Sequence, residues 1–229
     1  MVFNNVFPRI DRDFRREAYR LTRKNSAPGI DQGTATQSAE PVEDNLRALH
    51  ERWRDHQYVA PPGERVGSEK DGGQQRPRGQ PCCEDKMGQR AVVMSLAAIF
   101  APDFQALSHG FRKGHRPPQA LHELREQGRT WPIHWRGEAE VRGCCDNGDW
   151  GWLRACIQPR VQAGGILRRL GQWRHAGVLE AGALTHPDKG TPQGGVATPR
   201  TQRKTFVKWN HMFYCEAFIH AIHEDLFYQ

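Results

Sequence analysis

Four carboxylates could support metal-dependent chemistry because they lie close together on either side of Gly143. They are Glu138, Glu140, Asp146 and Asp149. Mg²⁺ prefers oxygen ligands and often shares them with substrate phosphates, and a carboxylate at the end of a strand before a tight turn can supply such a ligand. The alternative is a solvated acidic loop in which Asp149 caps the following helix. The spacing alone leaves both readings open.

A second candidate is the loop Gly190–Pro199, with the sequence GTPQGGVATP. Pro192 fixes φ for a turn, and the glycine pair at 194–195 permits left-handed or crowded backbone. Gln193 places one amide side chain between them. Backbone that passes close to a ligand often has this composition. An ordinary surface turn would have it as well.

Several other chemistries are excluded because the motifs that they need are absent. The chain contains no G-x-x-x-x-G-K-[ST], no G-x-G-x-x-G and no Gly-x-Ser-x-Gly, which argues against P-loop, Rossmann and nucleophile-elbow sites. The six cysteines include the adjacent pairs Cys82-Cys83 and Cys144-Cys145 rather than C-x-x-C, so we predict reduced thiols and not a zinc site.

Charge and hydropathy indicate the kind of partner and the location. The net charge is +7 and the isoelectric point is about 9.3, which favours a polyanion such as RNA or DNA. The sequence has no apolar run long enough for a membrane span and no signal-peptide pattern at its start. We therefore expect a cytoplasmic protein without a membrane partner.

The elements that must position these residues follow from hydrophobic periodicity and turn residues. We expect helices over 11–24, 42–55, 84–100, 117–127, 150–158 and 164–173, and again after Pro199. Hairpins are predicted over Val66–Gly79, with residues 70–73 at the tip, and over Val178–Thr185. A strand is predicted over Trp131–Val141. Helices and strands mix without a strict βαβ alternation, which indicates an α+β fold rather than a doubly wound sheet.

Six segments, in order, resemble the reverse transcriptases encoded by group II introns. They are Asn25–Gly33 (NSAPGIDQG), Asp71–Pro81 (DGGQQRPRGQP), Glu84–Phe104, Ser108–Leu121 (SHGFRKGHRPPQAL), Ala139–Leu153 (AEVRGCCDNGDWGWL) and Gly190–Pro199 (GTPQGGVATP). The resemblance implies the right-hand reverse-transcriptase fold, with fingers over residues 1–130 and an incomplete palm over 131–229. It also implies RNA-directed DNA synthesis and intron maturase activity, with RNA, a DNA primer and deoxynucleotides as partners.

The resemblance also implies roles for individual residues. Glu140 and Val141 match positions that hold Mg²⁺ in a two-metal transfer of a nucleotide to a primer 3′-hydroxyl, and Glu140 is the candidate catalytic residue. The positions matched to nucleotide binding are Lys70, Arg76, Gly143, Cys144, Cys145, Gln193 and Gly194. The positions matched to the loop over the RNA template are Phe111, Arg112, Lys113 and Arg116.

The sequence departs from the family pattern at the positions matched to metal and nucleotide binding. Glu140 stands where the family has Asp, and Cys144-Cys145 stands where it has an aromatic pair. No Tyr-x-Asp-Asp occurs in the 229 residues, so we expect a truncated chain that lacks the other metal carboxylates. The alternative function is a non-catalytic RNA-binding remnant or a decayed copy. The cations expected to bind RNA are Arg15, Arg16, Arg23, Lys24, Arg112, Lys113 and Arg116.

Overall fold

The computed structural model describes residues 1–23, 27–31, 33, 42–69, 75–104, 106, 108–110, 112–130, 147–190 and 195–196. In chain order its elements are α1 (Arg12–Leu21), α2 (Val42–Arg54), β1 (Gly63–Glu69), β2 (Gln75–Gln80), α3 (Cys83–Phe100), α4 (Pro117–Thr130), α5 (Trp150–Ile157), α6 (Gly164–His175), β3 (Val178–Glu180) and β4 (Ala183–Thr185). Short 3₁₀ turns cover Phe7–Arg9 and Ala101–Asp103. None of the described helices combines the length and apolar composition that crossing a bilayer requires.

The strands form one mixed sheet in the order β2-β1-β3-β4. The β1–β2 hairpin is antiparallel, with Glu64 opposite Gln80, whereas β3 lies parallel to β1, with Gly63 opposite Val178. β3 and β4 form the second antiparallel hairpin, whose turn residues Ala181 and Gly182 have φ of 48° and 83°. Helices combined with this sheet confirm the α+β class.

The principal core joins helices from separate parts of the described sequence. α2 and α3 contribute apolar side chains to it, as do α5 and α6. Its members from the four helices include Leu49, Trp53, Val92, Leu96, Ile99, Leu153, Ile157, Ile166 and Leu170. The predicted boundary between residues 130 and 131 falls at the start of a stretch outside the described residues, so the division into two regions stays a prediction.

A cluster of polar and aromatic side chains crosses this core, and we call it the polar cluster: Trp53, Tyr58, Asp85, Arg169 and Trp173. The Tyr58 hydroxyl donates to Asp85, and Trp173 Nε1 donates to the Tyr58 oxygen over 2.9 Å. Arg169 donates to the Trp53 carbonyl and lies 5.5 Å and 5.1 Å from the Trp53 and Tyr58 ring centroids. Burial raises the pKa of Asp85 to about 7 and lowers the pKa of Arg169 to about 10.

Most of the predicted elements are confirmed, with boundaries shifted by a few residues. The hydrophobic positions of 42–55 and 84–100 become the buried faces of α2 and α3, and the two predicted hairpins are β1–β2 and β3–β4. The strand predicted over Trp131–Val141, the hairpin tip and the helix predicted after Pro199 lie outside the described residues.

Candidate nucleic-acid interface

The basic loop of residues 108–116 connects the end of α3 to α4. The Arg112 guanidinium donates to the Ser108 carbonyl over 3.1 Å and lies 5.8 Å from the Phe104 ring centroid, an approach within cation–π range. Gly114 adopts a φ of +82°, which an L side chain rarely adopts. Lys113 is exposed at the turn between them. The loop therefore holds one cation against an aromatic ring and presents the next to solvent.

Two histidines connect the basic loop to α4. His109 is only 4% exposed, and its Nε2 lies 3.0 Å from Glu123 Oε2 on α4. Its Nδ1 lies 3.1 Å from Nδ1 of His115. This His115–His109–Glu123 chain, which we call the histidine relay, ties both ends of the loop to one helix. The contacts of His109 and His115 restrain the positions of these two loop residues, and the Lys113 side chain takes no part in them.

The start of α4 fixes the position of Arg116. The Arg116 backbone N–H donates to Gln119 Oε1 over 2.7 Å, and the Gln119 N–H donates to the Arg116 carbonyl over 3.0 Å. This reciprocal pair resembles a capping box, and Pro117 occupies the first helical position as predicted. The backbone of Arg116 is therefore fixed by capping, while its side chain is exposed.

Helix α1 has fewer cations free to contact RNA phosphates than its sequence predicts. Arg15 is partly buried and donates to the Ile10 carbonyl over 2.8 Å, so its guanidinium is used in the fold. Arg12 and Arg16 both pair with Glu43 on α2, and their hydrogen bonds lower the pKa of that carboxyl. Arg23 is exposed. Lys24 lies outside the described residues.

The loop and α1 lie close enough to influence each other electrostatically. The hydrogen bond from Arg20 lowers the pKa of Glu17 on α1, and the charge of Lys113 adds a smaller lowering effect. The charge of Lys113 is therefore felt by a carboxylate of α1 as well as by the loop itself.

A second contact joins the two segments that contain the carboxylates and the glycine-rich loop. The Gly190 N–H donates to the Gly148 carbonyl over 2.8 Å, and Trp150 Nε1 donates to the Gly190 carbonyl over 3.0 Å. The Arg174 guanidinium lies 5.2 Å from the Trp150 ring centroid and also donates to the Asp188 carbonyl. We call this arrangement the motif junction. It brings together residues that are about forty positions apart.

Asp149 has a structural role at the motif junction. Its side chain accepts from the Trp152 N–H over 2.8 Å and caps α5, so the helix-cap alternative is confirmed for this carboxylate. Among the described residues, no group of three His, Cys, Asp or Glu side chains could hold a metal ion. Asp149 therefore has no described neighbours with which to form such a site.

Most of the predicted catalytic and nucleotide-binding positions lie outside the described residues. They are Lys70, Glu140, Val141, Gly143, Cys144, Cys145, Gln193 and Gly194, together with Phe111 of the basic loop. Arg76 lies on β2, where its main chain pairs with Ser68 of β1. The assignments of these residues stay predictions.

Sequence reasoning missed the histidine relay and the motif junction. The pattern His-x₅-His around Gly110 and Gly114 could have indicated a closed loop, since glycine permits the turn that brings the two rings together. No pattern in the sequence indicates that Trp150 reaches Gly190.

No protein-family model matches the chain, but curated proteins do. It is 29% identical over 160 residues to the group II intron-encoded protein LtrA of Lactococcus lactis subsp. cremoris, which covers 69% of this chain and 26% of that protein. It is 28% identical over 190 residues to protein YkfC of Escherichia coli K12, covering 80% of this chain and half of the relative.

A further match, at 29% identity over 140 residues, is an uncharacterized 91 kDa protein in the cob intron of Schizosaccharomyces pombe, covering 60% of this chain and 17% of the relative. The chain therefore spans between about a sixth and a half of these relatives. The matches confirm the resemblance to group II intron-encoded proteins.

Proposed function

We propose, from the premise that this chain is a divergent relative of the group II intron-encoded proteins, that it binds structured RNA through the basic loop of residues 108–116. The observation that carries the proposal is the support given to this loop. Arg112 is held against Phe104, and His109 and His115 attach the loop to α4. Lys113 and Arg116 are exposed.

The physical argument concerns the cost of ordering long cationic side chains. A flexible lysine or arginine loses rotamer freedom when it contacts a phosphate. Here the backbone that carries these cations is already fixed by the relay and by the α4 cap, so binding needs to order only the side chains. The net charge of +7 adds a long-range attraction that salt weakens.

The experiment is an RNA-binding titration at several salt concentrations. Removal of both exposed cations, in Lys113→Ala combined with Arg116→Ala, should lower the affinity roughly tenfold and reduce the salt slope by about one to two. Arg168→Ala is the matched control, because Arg168 is an exposed cation on α6. Equal losses in both proteins would contradict the assignment to this loop.

The second candidate function is RNA-directed DNA synthesis in the right-hand reverse-transcriptase fold. The motif junction favours it because it joins the ends of the two segments matched to the palm. Mg²⁺ would be held by the Glu140 carboxylate and the Val141 carbonyl, with the nucleotide against Lys70, Arg76, Gly143, Cys144, Cys145, Gln193 and Gly194.

The residues of this chain fit that metal only in part. Glu140 supplies one carboxylate, and a two-metal transfer requires several anionic ligands. The 229 residues contain no Tyr-x-Asp-Asp to provide them. RNA binding is our principal proposal because the cations assigned to it lie within the described residues, whereas Glu140 lies outside them.

A primer-extension assay on an RNA template with Mg²⁺ tests the second candidate. If Glu140 holds a catalytic metal, Glu140→Gln should abolish any extension while leaving RNA binding unchanged. Extension that persists in the Glu140→Gln protein would remove Glu140 from the mechanism.

A further inference from the structure

Two arginines of α1 converge on one carboxylate at the start of α2. Arg12 Nε donates to Glu43 Oε2 over 2.9 Å, and Arg16 Nε donates to Glu43 Oε1 over 2.6 Å. Each guanidinium therefore binds a different oxygen of the same acid. We call the pair Arg12 and Arg16 the arginine fork. Because its two positive charges share one negative charge, one positive charge remains in excess.

The spacing of the arginine fork favours the binding of an anion. Arg12 and Arg16 are four residues apart on α1, so they lie on the same face of the helix. Like charges at this spacing repel each other, and an anion between them offsets the repulsion. Glu43 supplies a single negative charge spread over two oxygens. A phosphodiester carries the same charge on two oxygens, and the arginine guanidinium is suited to bind either group.

The ion pairs of the arginine fork are open to solvent. The side chains of Arg12 and Arg16 are 68% and 55% exposed, and that of Glu43 is 38% exposed. Ion pairs with this exposure contribute little to stability, because water solvates both partners. A guanidinium that moved from the carboxylate to a phosphate would leave no buried charge behind. A phosphate can therefore compete with Glu43 for these arginines.

Glu43 is itself an effective competitor near neutral pH. The hydrogen bonds from Arg12 and Arg16 hold the pKa of its carboxyl below the usual value. It lies in the first turn of α2, where the helix dipole favours a negative charge. The carboxylate therefore stays ionised under the conditions in which RNA would bind.

The arginine fork lies on the helix that is electrostatically linked to the basic loop. Arg20 follows Arg16 by four residues and pairs with Glu17. The hydrogen bond from Arg20 lowers the pKa of Glu17, and the charge of Lys113 lowers it further. Because a helix rises only about 1.5 Å per residue, the fork and the loop are close enough for one RNA backbone to contact both.

We infer that Arg12 and Arg16 form a second phosphate-binding site for the RNA, and that the Glu43 carboxylate competes with the phosphate for them. Glu43 is then an autoinhibitory anion. It keeps the two arginines together while no RNA is bound, and it weakens the binding when RNA is present. The inference rests on the proposed function, because it extends the RNA-binding surface from the basic loop to α1.

The test compares RNA affinity at one low salt concentration for the unaltered chain and two variants. Glu43→Gln removes the competing charge and keeps the size of the side chain. Asp44→Asn is the matched control, because Asp44 is the next residue of α2, is exposed and pairs with the single arginine Arg47. Both substitutions raise the net charge by one, so a general electrostatic effect would be equal in the two proteins.

Glu43→Gln should bind RNA roughly threefold to tenfold more tightly than the unaltered chain, whereas Asp44→Asn should gain less than about twofold. The gain should disappear when Arg12→Ala and Arg16→Ala are added to Glu43→Gln. In the unaltered chain the same two alanine substitutions should weaken RNA binding and reduce its salt slope by about one to two. That last measurement tests the site without the Glu43 variant.

Three results would overturn the inference. They are a gain in Glu43→Gln no larger than that in Asp44→Asn, a gain that persists without the two arginines, and an unchanged affinity when both arginines are removed from the unaltered chain. Each would leave the proposed function intact, because Lys113→Ala combined with Arg116→Ala tests the basic loop separately in the same series. Absence of RNA binding by both the unaltered chain and Glu43→Gln would overturn the proposed function, and the inference with it.

Discussion

Arginine lies against aromatic rings both in the core and on the surface of this protein. In the polar cluster Arg169 is 1% exposed and lies over Trp53 and Tyr58. In the basic loop Arg112 lies over Phe104 but remains partly exposed.

The two arginines differ in what surrounds the cation. Burial removes Arg169 from water and lowers its pKa to about 10, so the side chain can contribute only through the contacts that it already makes. Arg112 keeps access to solvent, and its neighbours Lys113 and Arg116 are exposed. The same residue types therefore stabilise the fold where they are enclosed and remain open to ligands at the loop.

The largest expected effect comes from removal of the enclosed arginine. Arg169→Ala leaves the Trp53 carbonyl without its donor and creates a cavity beneath two rings, which should lower the free energy of unfolding by about 4 kcal/mol. Arg112→Ala should lower it by less than about 1 kcal/mol and should instead weaken RNA binding. Urea titrations of both variants measure the difference, and equal losses of stability would contradict the different roles of the two arginines.

The second effect concerns the buried carboxyl of the same cluster. The pKa of Asp85 is raised to about 7 in the folded protein, whereas an unfolded aspartate titrates near about 3.9. At pH values between about 4 and about 7, Asp85 therefore keeps its proton in the folded state and has lost it in the unfolded state. Stability should therefore be highest below about pH 4 as far as Asp85 is concerned, and should fall as the pH rises to 7.

Asp85→Asn should remove that fall, because the amide cannot ionise and still accepts from Tyr58. At about pH 8 the variant should be more stable than the unaltered chain by about 4 kcal/mol, and at about pH 4 the two should be similar. Urea titrations at both pH values test this. A variant that is less stable at the higher pH would show that Asp85 is ionised in the fold and stabilised by its donors.

The smallest effect compares two glycines, one in the basic loop and one in α4. At both positions, an added Cβ would have no heavy atom of the described residues within 4 Å, apart from the adjacent residues and the local helix backbone, so steric clashes do not distinguish the two glycines. Gly114 has a φ of +82°, so Gly114→Ala should cost about 1 kcal/mol and weaken RNA binding. Gly128 lies within the helix α4, so Gly128→Ala should stabilise the protein by up to about 1 kcal/mol. If the melting temperature shifted in the same direction in both variants, the role assigned to Gly114 in the loop would be contradicted.

The sequence predicts the local elements well because their causes are local. Leu46, Leu49 and Trp53 recur at helical spacing, and all three are buried on α2. A helix cap was one of two alternatives for Asp149, and Asp149 does cap α5 through the Trp152 N–H.

The pairings between distant segments are not predicted from the sequence, because no local pattern specifies them. The parallel pairing of β1 with β3 joins residues more than a hundred positions apart. A buried Arg169 contradicts the usual preference of arginine for the surface, and its burial is explained by its contacts with the Trp53 and Tyr58 rings and with the Trp53 carbonyl. The His109–His115 contact likewise requires the loop to close onto Glu123.

The central claim is that RNA contacts the basic loop, and cross-linking of a bound RNA that contains 4-thiouridine tests it most directly. After irradiation and proteolysis, mass spectrometry identifies the peptides that carry nucleotide adducts. We predict adducts on peptides within residues 108–116, and their loss at high salt, since the binding depends on phosphate contacts. Efficient cross-linking to other parts of the chain with none on residues 108–116 would contradict the account.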